Sequence, residues 1–481
     1  MKLVCFPREM AVGYDDGTVG TLLPFAPEVR SDGNLVLDPD RVYLALEETV
    51  QGLISSAIQH RLPQPVRFAS EIMGRLPSQP RPLTEILAQP PQRQVRVCLI
   101  NGGGGGLGDG ILFAPALRII SQRLQALTGA VPQLVAYSML PQRTTVVLSG
   151  IPGLQVRPMP MTLAEFMGYD AVANLSGMLD DPQFQQAHMT DFVLARLGID
   201  PAVVPAVEKA PCLCLPSVIP NEVAVGLGKA YAAAAGKPLV AVIFISSYTR
   251  SLPEPKAAAL IRRLAEEGYQ PVLMFPEDHS ALAFLARQEL QGVAVDISAA
   301  SRSFLDYFML LAGMDAIVTV DTSAVHIGAA LNKPTVALFN SINMEYRIRY
   351  SPSVHGIQLV YQGRSCQAPC GLSKSRAFIQ GKLSNGEPFR LECGYACDEA
   401  VARDEILDEA GAAMARIDPT VDISPQINAI RQRMADRLHA ALSPCWENLD
   451  EETVVRGLRQ MMQPVASTAE RTSEVMHVGA E

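Results

Sequence analysis

The run D-A-I-V-T-V-D-T-S-A-V-H-I-G-A-A-L-N-K-P-T-V-A-L-F, Asp315–Phe339, decides how the chain is organised. Ile317–Val320 is short, apolar and β-branched, as a buried strand requires. It stops at Asp321-Thr322-Ser323, whose side chains suit a helix N-terminus because they accept its unpaired backbone N–H groups. Ala324, Gly328, Ala329 and Ala330 are small enough to let that helix lie close on a sheet. Asn332-Lys333-Pro334 ends it, and Thr335–Phe339 is a second strand. The polar triplet therefore stands at the C-terminal end of a strand and the start of a helix. Open α/β sheets take ligands there, and a helix N-terminus favours an anion. Taken alone, the same residues also read as a plain capped βαβ turn.

Upstream of this unit the pattern repeats. A strand at Leu239–Ile245 leads to a helix at Glu254–Glu267 closed by Gly268, then a strand at Pro271–Phe275. A helix over Ser280–Leu290, a strand over Val293–Ile297 and a helix over Phe304–Ala312 follow. This alternation predicts a parallel, doubly wound sheet. The loop after its first strand, Ser246 to Pro253, offers hydroxyls (Ser246, Ser247) and one guanidinium (Arg250) on the same edge as Asp321-Thr322-Ser323. Such groups converging at one edge make a candidate diphosphate site. His326, one turn into the helix, either joins that site or braces it.

A second α/β unit precedes this one. Gln94–Ile100 is a strand that runs into Asn101, a glycine run and then Leu107-Gly108-Asp109-Gly110. Gly103-x-Gly105-x-x-Gly108 matches the dinucleotide fingerprint in form, but no acidic residue follows Asp109 before Glu165 to hold a ribose. The other phosphate loop fails as well, because its lysine position holds Asp109. What remains is a glycine-rich turn that presents a carboxylate at a helix start, where the helix dipole would favour it in any case. Strands at Gln133–Ser138, Leu154–Pro158 and Tyr169–Leu175 alternate with helices at Arg143–Leu148 and Phe192–Leu197, and Val203–Gly236 reads as a link.

Residues 1–94 read as a separate N-terminal module. Strands are expected at Leu3–Phe6 and Leu35–Leu37, a helix from Asp38-Pro39-Asp40 to about His60, and a proline-rich linker over Leu76–Gln92. No chemistry is legible there. The expected division is 1–94, 95–235, 236–420 with a cysteine finger over 361–400, and 421–481 as C-terminal helices and a disordered tail.

A chain of 481 residues, 48% hydrophobic and 19% charged, can bury two or three cores. A net charge of −9 argues against a nucleic-acid partner. No apolar run approaches the ~20 residues of a membrane span, and the start carries no apolar signal segment, so a cytoplasmic protein without a transmembrane segment is expected. Nine cysteines, an odd number, read as thiols or metal ligands. Cys366-x₃-Cys370 and Cys393-x₃-Cys397 have the spacing of two metal knuckles around a polar segment, with free structural thiols the alternative.

The chain resembles the ADP-heptose glycosyltransferases, the heptosyltransferases of glycosyltransferase family 9. Gly108-Asp109 followed by Pro115, the loop Ser246-Ser247 to Arg250-Ser251-Leu252-Pro253, and Asp321-Thr322-Ser323-Ala324-Val325-His326 to Lys333-Pro334 carry the resemblance. The family's pattern has glycine where Ser323 stands, lysine where Arg250 stands and tryptophan where Leu252 stands. The four-cysteine finger is similar to one that carries iron in autotransporter-modifying heptosyltransferases. The resemblance implies a GT-B fold, two Rossmann-like domains facing a cleft, and inverting transfer of a sugar from an ADP-activated donor, ADP-heptose, to a glycan or protein hydroxyl. It implies Asp109 as general base, with Ser246, Ser247, Arg250, Asp321, Thr322, Ser323 and His326 at the donor. No cofactor is expected for catalysis. A structural zinc or iron on Cys366, Cys370, Cys393 and Cys397 and a homo-oligomer are expected extras. A nucleotide-sugar epimerase and a non-catalytic nucleotide-sugar-binding protein are the competing readings.

Overall fold

The structure is a computed structural model. It describes residues 2–5, 10–13, 19–22, 42–45 and 67–68 by their backbone, and beyond these residues 80–102, 106–138, 140–159, 161–176, 178, 181–246, 250–276, 279–362, 367–370 and 444–463. The N-terminal strands are β1 (Lys2–Cys5), β2 (Met10–Gly13), β3 (Val19–Leu22), β4 (Val42–Ala45) and β5 (Arg67–Phe68). β4 lies where a helix starting at Asp38 was expected. Val42-Tyr43-Leu44 pairs antiparallel with β1, Lys2 opposite Ala45 and Cys5 opposite Val42. β-Branched and aromatic residues with a partner strand beside them outweigh a helical period. The expected strand at Leu35–Leu37 and residues 46–60 of the expected helix lie outside the described residues.

The first parallel sheet is built from β6 (Arg81–Pro82), α1 (Leu83–Ala88), β7 (Arg96–Ile100), α2 (Leu107–Thr128), β8 (Gln133–Ser138), α3 (Pro141–Leu148), β9 (Leu154–Pro158), β10 (Met161–Thr162), α4 (Leu163–Met167) and β11 (Ala171–Asn174). Five strands lie in the order β6-β11-β7-β8-β9, every neighbour pair parallel. β7 and β8 are buried along almost their whole length, as strands covered on both faces must be. The helical face of this core joins Leu99, Leu117, Leu124 and Phe192. Residues 81–88, expected in a linker, belong to this sheet: β6 pairs with β11, and Leu83 and Ile86 of α1 are buried. β10 leaves the unit and pairs antiparallel with β4, so the four-stranded N-terminal sheet has the order β10-β4-β1-β5.

After α5 (Met189–Arg196) comes α6 (Asn221–Ala234), the alanine-rich half of the stretch expected to be a link. Val223 and Ala230 are buried against the second sheet's core. That sheet comprises β12 (Leu239–Ile243), α7 (Glu254–Glu266), β13 (Gln270–Leu273), α8 (Ala281–Arg287), β14 (Val295–Asp296), α9 (Phe304–Ala312), β15 (Ala316–Val320), α10 (Ser323–Ala330), β16 (Thr335–Phe339), α11 (Glu345–Ile348) and β17 (Val354–Gln358). Its order, β14-β13-β12-β15-β16-β17, is parallel throughout and reverses direction between β12 and β15. Leu260, Phe284, Val318 and Leu338 fill one face; Ile243, Phe308, Leu310 and Ile327 fill the other. The two α/β units face each other across a cleft, the GT-B arrangement.

The last described segment contains α12 (Glu451–Met462). Trp446, Leu449, Val454, Val455 and Leu458 enter the core of the second unit, and Arg263 holds Glu452 at 2.7 Å. This helix therefore completes the second unit, although the expected division set 421–481 apart. Among the described residues no helix is long and apolar enough to cross a membrane.

Candidate active site

Strand order brings two loops side by side. Because β12 and β15 are neighbours, the chain leaving β12 at Ser246 meets the chain leaving β15 at Asp321. Ser246 Oγ donates to the Asp321 carbonyl at 3.0 Å, and Arg250 Nη1 donates to Asp321 Oδ2 at 3.1 Å. The loop is closed on itself: Ser246 N–H donates to Ser251 Oγ at 2.9 Å, and Ser251 Oγ donates to the Ser246 carbonyl at 2.7 Å. Leu252 is buried, and its N–H donates to the Phe244 carbonyl at 2.9 Å. Arg250 is thus held in place from both sides.

The start of α10 is set by Thr322, whose backbone is extended and whose Oγ1 accepts from the Ala324 N–H at 3.0 Å. Thr319 Oγ1 stands 3.3 Å from Thr322 Oγ1 and fixes it further. Asp321 is buried. Burial alone pushes its carboxyl up, but Arg250, Arg347 and His326, with the Arg250 hydrogen bond, outweigh this and hold it below the usual carboxylate range. It is an ionised group inside the protein, matched by cations.

The first unit contributes the opposite wall. Asp109 lies in the first turn of α2, the element after β7. The start of α2 abuts the start of α10: a Cβ on Gly108 would stand 2.7 Å from His326 Cδ2 and 3.4 Å from Ser323 Cα. Only a residue without a side chain allows that approach. A cavity of about 800 Å³ lies between the units. Asp109 and Arg143 line it from the first, and Ser246, Arg250, Asp321, Thr322, Ser323, His326 and Arg347 from the second.

Seven residues expected at a site from the sequence thus share one cavity: Asp109, Ser246, Arg250, Asp321, Thr322, Ser323 and His326. Ser247 lies outside the described residues, as do Cys366, Cys393 and Cys397. Cys370 is described, its Sγ 3.8 Å from the Ser341 carbonyl. No group of three or more metal-ligating side chains occurs among the described residues. Three arginines of the cavity, Arg143, Arg302 and Arg347, were not expected. Arg143 lies over the Phe304 ring at 5.2 Å. Arg347 sits in Tyr346-Arg347-Ile348-Arg349-Tyr350, on the short helix α11 that follows β16. A basic, aromatic run after the strand that follows β15 was the available signal.

Fold and cavity together define a two-domain α/β protein with a charged cleft at the switch point of its second sheet. Residues 224–374 match the model of glycosyltransferase family 9 (heptosyltransferase), and those residues carry the second sheet and its site. Lipopolysaccharide heptosyltransferase 2 of Escherichia coli (strain K12) is 34% identical over 111 residues. That stretch is 22% of this chain and spans 32% of the relative's length. Among solved structures, E. coli ADP-heptose lps heptosyltransferase II superposes with a TM-score of 0.41 at 18% identity, covering 56% of this chain and 91% of that one. The iron-containing dodecameric glycosyltransferase TibC of enterotoxigenic E. coli H10407 gives 0.39 at 11% identity, covering 76% and 84%.

Proposed function

We propose that the chain is an inverting glycosyltransferase that moves a heptose from ADP-heptose to a hydroxyl of a glycan or protein acceptor. One observation carries the reading: a carboxylate on one unit and a cation-matched, hydroxyl-lined helix start on the other share a single cavity. Asp109 takes the proton of the acceptor hydroxyl as its oxygen bonds to the anomeric carbon. The bond from that carbon to the diphosphate oxygen breaks, and ADP leaves from the opposite face. The amides at the start of α10 and the cleft's arginines stabilise the negative charge that builds on the leaving diphosphate. Ser246 and Thr322 act through the loop and cap they hold; Ser323 and His326 stand nearest the first unit. The family match over the second unit supports a nucleotide-sugar donor.

The test is ADP release from ADP-heptose with an acceptor, beside donor binding by calorimetry. Asp109→Asn keeps the shape but cannot take the proton, and loss of a general base typically costs about 10²–10⁴-fold in rate. Slow turnover with intact donor binding is expected; turnover at the wild-type rate overturns the assignment of the base. We further propose that the paired cysteines hold one structural zinc or iron per chain. Metal analysis of protein prepared without oxygen checks this, and Cys393→Ser should lose both the metal and stability.

A further inference from the structure

We propose that Arg347 is an anion-binding residue of the cleft and that it receives the diphosphate of the donor; this rests on the reading of the site as a nucleotide-sugar site. The obvious cation, Arg250, is already engaged. It lies 3.1 Å from the Asp321 carboxylate, with only 12% and 5% of the two side chains exposed. A pair so close and so dry presents little net charge to a ligand.

Arg347 is placed differently. It comes from α11, which follows β16, the next strand along the same sheet edge, and lines the same cavity at 3% exposure. Its Nη1 donates to the Tyr346 carbonyl at 3.1 Å, and its guanidinium lies 5.7 Å from the centre of the Phe184 ring of the first unit. Its Nη2 is buried and has no hydrogen-bond partner among the described residues. A buried cationic donor without an acceptor is costly, and native proteins keep such groups where something else completes them. Asp321 and Asp109 act on Arg347 through space, one from each unit, and burial, the larger influence, holds its pKa below the usual arginine value.

The charges point the same way. Asp109 and Asp321 bring two negative charges to the cavity, against four arginines, Arg143, Arg250, Arg302 and Arg347. The lining is therefore net positive, as a diphosphate site needs, and its most deeply buried cation is Arg347. Its planar fork of donors matches two oxygens of a phosphate group.

The experiment uses inorganic pyrophosphate, which carries the anion without nucleoside or sugar. Calorimetry on the full chain should show binding that weakens about 10- to 100-fold in Arg347→Gln, the loss of one charge-assisted contact. Adenosine, titrated in parallel, should bind both proteins alike, which a merely structural effect of the substitution would not allow. Should Arg347→Gln fail to fold, Arg347→Lys keeps the charge without the fork and should still weaken pyrophosphate at least severalfold. Equal pyrophosphate affinity in the folded variant, or none in the wild type, overturns the assignment. ADP-heptose turnover scores the proposed function separately. A chain that binds pyrophosphate through Arg347 but releases no ADP keeps this inference and loses that reading. Wild-type turnover of ADP-heptose by Arg347→Gln does the reverse.

Discussion

Asp321 and Arg250 form the most deeply buried ion pair of the cleft, and single residues set its behaviour. Removing one partner of a buried pair leaves the other charge stranded, at a cost of roughly 3–5 kcal/mol. Asp321→Asn should therefore lower the melting temperature clearly, which differential scanning calorimetry measures. The folded pKa of Asp321 lies below its ordinary value, so its contribution is complete above about pH 3.9 and fades as pH falls through the lower, folded value. The Asn variant should lose that part of the acid sensitivity. His188 acts over a range that begins at higher pH. Burial, with Arg347 and His326 against Asp191, lowers its pKa to about 3, and its Nδ1 accepts the Thr190 N–H at 3.3 Å, which needs the neutral ring. The unfolded chain takes up a proton below about pH 6.5 that the folded chain refuses, so stability falls from there towards pH 3. The full loss is on the order of 5 kcal/mol, and His188→Asn should flatten the part of it that denaturant titrations at pH 7 and pH 5 span. At this scale the sequence was legible where a residue ends a strand, as Asp321 and Ser246 do. Arg347 was not, because it stands on a four-residue helix with no period to mark it. Its place in the cleft follows from β16 pairing beside β15, an adjacency that no local pattern encodes.

Elements carry the next level of constraint. The start of α2 reaches the start of α10 only through Gly108, and a methyl there meets the His326 ring. Gly108→Ala should push His326 aside and separate Asp109 from the opposite wall. Turnover should drop at least tenfold while pyrophosphate affinity changes little, a split that steady-state kinetics and calorimetry resolve. α12 offers a spectroscopic handle. Trp446 is the single tryptophan of the chain and is 1% exposed within the core of the second unit. Its emission should be blue-shifted in the native state and move to the red when that unit unfolds. Trp446→Ala should cost about 3–5 kcal/mol, read as a lower denaturant midpoint. The parallel strands were legible because they are unbroken apolar runs between turn residues. The N-terminal strand β4 and the helix α6 were not. Tyr43 and Leu44 take their conformation from β1, some forty residues away in sequence, and α6 is ordered by the sheet it covers.

Across the whole molecule the two units are tied at one side of the cleft. Tyr350 of the second unit donates to Asp191 Oδ2 of the first at 2.7 Å, and Lys209 joins both, 2.8 Å from Asp191 Oδ1 and 3.2 Å from the Tyr350 hydroxyl. The His188 ring meets Tyr350 edge-on at 4.5 Å. Tyr350→Phe removes the bond between units but keeps the ring contact. It should loosen the cleft with a stability loss of about 1–3 kcal/mol, since Lys209 and Asp191 still pair. Small-angle scattering with and without ADP would register the wider opening. This tie was illegible beforehand, since its members lie 159 residues apart. The pairing of Thr162 with Tyr43 reaches nearly as far and has a bearing on biosynthesis. The first strands emerge from the ribosome early, yet the sheet they start is finished only by Met161–Thr162. Until then β4 has an open edge, a surface prone to pair with other nascent chains. Its closure waits on the translation of the whole intervening stretch, which leaves that edge exposed longest during synthesis.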